Sequence, residues 1–281
     1  MSYFKVLGLE REPFSTSPDP AFFYDSQEHH CALMRLMIEV RLKRGLSIVL
    51  GDVGTGKTTL SRKLFHMLKE REDILFNMIL DPTYETEELF LDALARIFKI
   101  DLIPQSSNIL DYKEAIKNFL FKKCVEEGKT VVLLIDEAQK LNSVSLEALR
   151  VLLNYETNEF KLLQLILLSQ LELLPKINCI NNFWDRISMK YMLNPLSEQE
   201  TKRMISFRLT QAGSKCGPGF FTDEAVAEIY RFTKGYPRRI SMICHEALKS
   251  LVMGLKPVVD ADLVRSLIGR EANIKNALIN G

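Results

Sequence analysis

Residues 46–60 read LSIVLGDVGTGKTTL. An apolar run, Leu46–Leu50, stops at Gly51, passes Gly54 and Gly56, and ends in Lys57-Thr58-Thr59. The run has the character of a buried strand. The glycines let the backbone fold around phosphates with its N–H groups turned inward, and a helix beginning near Gly56 aims its positive end at the same point. Gly51-Asp52-Val53-Gly54-Thr55-Gly56-Lys57-Thr58 fits the spacing GxxxxGK followed by Ser or Thr. Lys57 is therefore expected at the β- and γ-phosphates of a nucleotide, and the Thr58 hydroxyl on Mg²⁺.

The flanking pattern supplies the context such a loop needs. Strand-like apolar runs at Leu46–Leu50, Ile74–Leu80, Val131–Ile135 and Leu162–Leu168 alternate with helical patterns at Thr58–Lys69, Glu87–Phe98, Leu110–Glu126 and Ser145–Glu156. Near-continuous apolar strands are what a parallel sheet covered on both faces requires. Residues 41–194 thus read as a doubly wound α/β domain. Ahead of it, residues 1–40 hold a Pro-, Ser- and aromatic-rich stretch, EPFSTSPDPAFFY, and a helix from Ser26 to Arg44. After Pro195 the strand signals stop. Ser197 and Glu200 form a capping box for a helix to Gln211, Thr222 caps a second to Thr233, KGYPRR breaks the pattern, Ile240–Val252 is a third, and Asp260 caps a fourth. Residues 195–281 read as an all-helical domain.

Composition narrows the classes. A chain of 281 residues with 47% hydrophobic and 26% charged residues is an ordinary globular one, and a net charge of +1 gives no field favouring nucleic acid or acidic partners. No apolar run reaches a membrane span's length, and the first residues lack the pattern of a signal peptide. The expectation is a cytoplasmic protein without membrane insertion, any recruitment to the inner membrane being left to a partner. Cys31, Cys124, Cys179, Cys216 and Cys244 form no CxxC pair, and read as reduced, mostly core thiols.

The run Val131–Ile135 delivers two acids, Asp136 and Glu137, at a strand's carboxyl end, where ligands sit in open α/β sheets. Asp136 is expected in the Mg²⁺ shell, and Glu137 to orient and deprotonate the water that attacks the γ-phosphate. The second acid points to hydrolysis rather than transfer of the phosphoryl group to a metabolite. Ser169 and Gln170 follow the next strand, and Gln170 is favoured over Ser169 as the side chain sensing the γ-phosphate. Arg186, in NNFWDRISMKYML, reads as the end of a helix, with the option of entering a neighbour's site in a ring. In GYPRR, Gly235 and Pro237 fix a helix start from which Arg238 projects; a cation there opposes the helix dipole, which a bound phosphate would offset.

The order GDVGTGKTTL, VVLLIDEAQKL, LQLILLSQLELL, FWDRI, GYPRRI, with EALRVLLNYE and the opening EPFSTSPDPAFFYDSQEHHCAL, resembles the AAA+ ATPases of the ExeA/GspA (general secretion pathway protein A) type over nearly the whole chain. That resemblance implies a P-loop NTPase domain with a C-terminal helical lid, and ATP with Mg²⁺ as ligands. It implies that Asp136 and Glu137 take the metal and water-activating roles, with Gln170 at the sensor position. Arg186 would be the arginine finger acting across a subunit interface, and Arg238 the second sensor on the lid. Pro18, Asp19, Pro20, Tyr24 and His29 would wrap the adenine. Where the family has Gly-Gln-Pro after the sensor strand, this chain has Ser169-Gln170-Leu171.

The leading expectation is a homo-oligomeric ATPase, ring or filament, that assembles or positions an envelope machine: type II secretion, a pilus, or polysaccharide export. The alternative is a DNA-associated regulator forming filaments on DNA, as in transposition, using Lys43, Arg44, Arg62, Lys63, Arg238 and Arg239. A signalling switch ranks last, since it would need sensor domains that the sequence does not contain.

Overall fold

The computed structural model describes residues 2–15, 17, 19–101, 108–214, 219–254 and 257–279. The expected site residue Pro18 and the thiol of Cys216 lie outside the described residues.

Five strands form one sheet: β1 (Leu46–Leu50), β2 (Ile74–Ile79), β3 (Thr130–Ile135), β4 (Leu163–Ser169) and β5 (Ile187–Met192). Their order is β2-β3-β4-β1-β5, and every neighbouring pair is parallel. Parallel neighbours need crossovers, and the apolar strands need cover on both faces. Every residue of β1 and β4 is buried. Leu46, Ile48, Leu50, Leu133, Ile135, Leu165 and Leu167 face one core, shared with α4 (Glu87–Ile97), α5 (Ile109–Phe121), α6 (Ser143–Leu152) and α7 (Leu173–Asn178). The alternate set, Val49, Val132, Leu134, Ile166 and Leu168, is buried as well.

The sequence pattern missed β5. Ile187–Met192 alternates buried and exposed residues because it is an edge strand paired only to β1. Arg186 accordingly closes a 3₁₀ turn, Trp184–Arg186, and leads into a strand rather than ending an α-helix. The α5 helix has a capping box, Asn108 with Asp111, and passes into a π-turn at Lys122–Glu126.

By contacts the chain divides into two units, residues 1–28, 54–59 and 194–281 in one, and residues 29–53 and 60–193 in the other. The first has its own core. Leu9, Phe14 and Phe22 pack with residues of α8 (Glu198–Gln211), α9 (Asp223–Thr233), α10 (Pro237–Gly254) and α11 (Ala261–Ile279). The caps are those the sequence predicts: Ser197 with Glu200, Thr222, and Asp260 accepting from Leu263 N–H at 2.8 Å. The N-terminal segment is tied down by Arg208, whose guanidinium donates to Ser15 O at 3.3 Å and whose pKa burial lowers to about 10. No described helix is long and apolar enough to cross a membrane. Of the cysteines, Cys124 and Cys244 are buried, Cys31 is half-buried and Cys179 exposed; all four are free thiols.

Candidate active site

Three strand ends meet at the carboxyl edge of the sheet. β4 lies between β1 and β3, so Gly51, Asp136 and the Ser169–Gln170 pair sit at the carboxyl ends of adjacent strands. Gly51 N–H donates to Ser169 O at 3.1 Å and fixes the start of the glycine loop against β4. The helix after the loop, α3, begins at Lys57 and runs to Leu68. Gly54 and Gly56 have φ of +86° and +103°, conformations that L side chains rarely adopt. Thr55 and Lys57 are buried, while Asp52 and Val53 are exposed.

Asp136 is buried and held at both oxygens. Oδ1 accepts the Glu137 N–H at 2.9 Å, and Oδ2 accepts the Ser61 hydroxyl at 3.4 Å. Ser61 was not singled out from sequence. Its signal was available, because a residue three after Thr58 falls on the same helix face one turn on. Glu137 has φ of +53°, the left-handed region, and is half-buried. A non-glycine residue there costs about 1–2 kcal/mol, and such strain gathers at functional sites. Glu137 Oε2 accepts from Gln139 Nε2 at 2.6 Å. Gln139, part of the DEAQ run, carries no role that its sequence position alone reveals.

The two sensor candidates differ in exposure. Ser169 is fully buried, and its hydroxyl is engaged by Gln139 Oε1 and by the Gln170 carbonyl. The Gln170 side chain is partly exposed, and its backbone N–H donates to Gln139 Oε1 at 3.1 Å.

Arg186 is not with this group. β5 runs parallel to β1 with Ile187 opposite Leu46 and Met192 opposite Leu50, so Arg186 stands at the amino edge of the sheet. The five residues of β1 rise about 16 Å, beyond the reach of one arginine side chain from the carboxyl edge. Its buried Nε has no hydrogen-bond partner among the described residues. Nearby Glu147 is already forked by Arg150 at 2.6 and 2.8 Å, which holds the carboxyl below its usual range.

In the other unit, α10 opens with Pro237, whose missing N–H costs nothing at a helix's first position. Arg238 N–H donates to Gly54 O at 3.3 Å, a contact within this unit, to which residues 54–59 also belong. A Cβ on Gly54 would come within 3.1 Å of Arg238 Cβ. Asp19 caps the turn Pro20–Phe22 and pairs with Arg11 at 2.5 Å. Tyr24 packs on Phe207 of α8, and burial raises its phenol pKa. His29 is a buried residue of α2 (Gln27–Arg41), which lies mostly in the sheet-containing unit.

Thr58 and Asp136 offer hard oxygen donors. Among the described residues there is no group of three or more His, Cys, Asp or Glu side chains that would cage a metal. Two protein oxygens suit Mg²⁺, which keeps its waters and substrate phosphates as its remaining ligands.

A family model described as an AAA domain matches residues 40–177. That stretch, just under half of the chain, is similar to an AAA domain. Over 93% of its length the chain is 36% identical to general secretion pathway protein A of Aeromonas hydrophila, of which it spans 47%. Among solved structures it is similar to the ORC2 protein of Aeropyrum pernix (TM-score 0.66, 17% identity, 93% of this chain and 71% of that one). The RuvB Holliday junction branch migration motor of Thermotoga maritima is a further neighbour (TM-score 0.56, 14% identity, 86% and 68%). These likenesses establish the parallel sheet with its C-terminal helices as an AAA-type P-loop fold.

Proposed function

We propose that this protein is an AAA+ ATPase that hydrolyses ATP in a site shared between neighbouring copies, and that hydrolysis assembles or positions a bacterial envelope machine. The observation that carries the shared site is the placement of Arg186 at the sheet edge opposite Gly51, Asp136 and Glu137. An arginine so placed serves a neighbour's phosphates, not its own.

In this reading Gly51–Thr59 cradle the phosphates with backbone N–H groups, and Lys57 meets the β- and γ-phosphates. Thr58 and Asp136 would hold Mg²⁺, which neutralises developing charge on the phosphate oxygens. Glu137 takes the proton of the attacking water. Gln170, the more exposed of the two strand-end side chains, senses the γ-phosphate. Arg238 approaches from the first turn of α10, and Pro20, Tyr24 and His29 serve the adenine side. Secretion components as partners are suggested by the relative named general secretion pathway protein A; a pilus or polysaccharide-export system is the alternative client that the sequence resemblance allows. In this reading the protein is cytoplasmic and is recruited to the inner membrane by a partner.

The first test is light scattering of the Glu137→Gln protein with ATP and Mg²⁺, with and without duplex DNA. A closed assembly formed with ATP alone supports the envelope reading. Assembly only on DNA, growing with DNA length, replaces it with the DNA-filament reading. The shared site has its own test. Arg186→Ala and Lys57→Ala are each expected to lack turnover, and mixing them should restore part of it, because each copy supplies what the other lacks. Mixed assemblies that stay inactive would count against a site built from two copies.

A further inference from the structure

Gln139 sits in the 3₁₀ turn Ala138–Lys140 that follows Glu137. Its side-chain amide is held at both ends. Nε2 donates to Glu137 Oε2 at 2.6 Å, while Oε1 accepts the Gln170 backbone N–H at 3.1 Å and the Ser169 hydroxyl at 3.2 Å. Chemistry fixes which end is which. A backbone N–H only donates, so the amide oxygen must face the tip of β4. An ionised carboxylate only accepts, so the amide nitrogen must face Glu137. The turn itself is anchored by Lys176 Nζ, which donates to the carbonyls of Gln139 and Leu141. The left-handed backbone of Glu137 makes its side-chain direction depend on this turn.

We propose that Gln139 is a positioning residue for ATP hydrolysis. It binds one oxygen of Glu137, presents the other to the attacking water, and carries movement of the Ser169–Gln170 tip to that carboxylate. The proposal rests on the reading of Glu137 as the water-activating acid.

The test is steady-state ATP turnover across pH on the full chain, comparing wild type, Glu137→Gln, Gln139→Leu and Gln139→Glu, with ATP affinity measured separately. Gln139→Leu removes the amide at nearly constant size. Its kcat is expected to fall about tenfold or more, with KM and ATP affinity little changed. Gln139→Glu places a second carboxylate beside Glu137. Like charges raise the pKa of the pair, so the acid limb of the kcat profile should move to higher pH by about one unit or more. A purely structural role would lower stability without moving that limb. Wild-type kcat in Gln139→Leu, or an unmoved acid limb in Gln139→Glu, overturns the proposal. Should Gln139→Leu fail to fold, the acid limb of Gln139→Glu decides. If Glu137→Gln turns over like wild type, the underlying assignment falls. If Glu137→Gln is inactive while both Gln139 variants match wild type, only the coupling falls.

Discussion

Glu137→Gln is expected to bind ATP as the parent does and to lose turnover by about 10²- to 10⁴-fold, the usual contribution of a positioned general base. The substitution changes little else. Glutamine has the same shape, tolerates the same backbone, and its amide oxygen still accepts from Gln139 Nε2, which now lies 2.6 Å from the carboxylate. What disappears is basicity toward water. Asp136 keeps its Ser61 partner, and its Oδ1 still receives the backbone N–H of residue 137. Phosphate release measured beside a fluorescence titration of nucleotide separates the two effects. Unchanged phosphate release would mean that the water-activating group lies elsewhere. Weakened binding in step with turnover would mean that Glu137 holds nucleotide rather than water.

Gly235→Ala is expected to cost about 3–5 kcal/mol. Gly235 has φ of +78°, and a Cβ there would lie 1.9 Å from Leu196 O and 2.9 Å from Leu196 C. The obstruction is backbone, so no rotamer relieves it. The same two residues are joined by Leu196 N–H donating to Gly235 O at 2.9 Å, so moving apart sacrifices a hydrogen bond. Lys234 before it is also left-handed, with φ of +53°, and the pair turns the chain from α9 into α10. Gly254→Ala is the control. That glycine ends α10 with nothing among the described residues within 4 Å of its would-be Cβ, so alanine should be neutral or stabilising by up to about 1 kcal/mol. Urea unfolding of the two variants checks the contrast, and equal midpoints would refute the account of the turn.

Interior strands were legible because burial on both faces makes them uniformly apolar. Leu46–Leu50 and Val131–Ile135 needed no other signal. Ile187–Met192 was not legible by that rule, since only one side of an edge strand has a neighbour and its residues alternate. Missing it misplaced Arg186 on a helix end, though the residue itself had been picked out. Helix caps such as Ser197 and Thr222 are local and were read directly. Ser61 and Gln139 were harder. Each matters through a contact with a side chain on another element, Asp136 and the β4 tip respectively, and a single sequence gives no distance between elements.

The position of β1 sets a constraint on how the protein is made. Its only partners in the sheet are β4 and β5, both encoded far downstream, while the glycine loop follows it immediately. Pairings of such large sequence separation form slowly, because closing the intervening chain costs entropy before any contact repays it. A nascent chain paused before Leu163 already carries every residue of the loop, yet has no strand on which to seat Gly51. Synthesis must therefore run past Ser169, whose carbonyl receives the Gly51 N–H, before the loop has its floor.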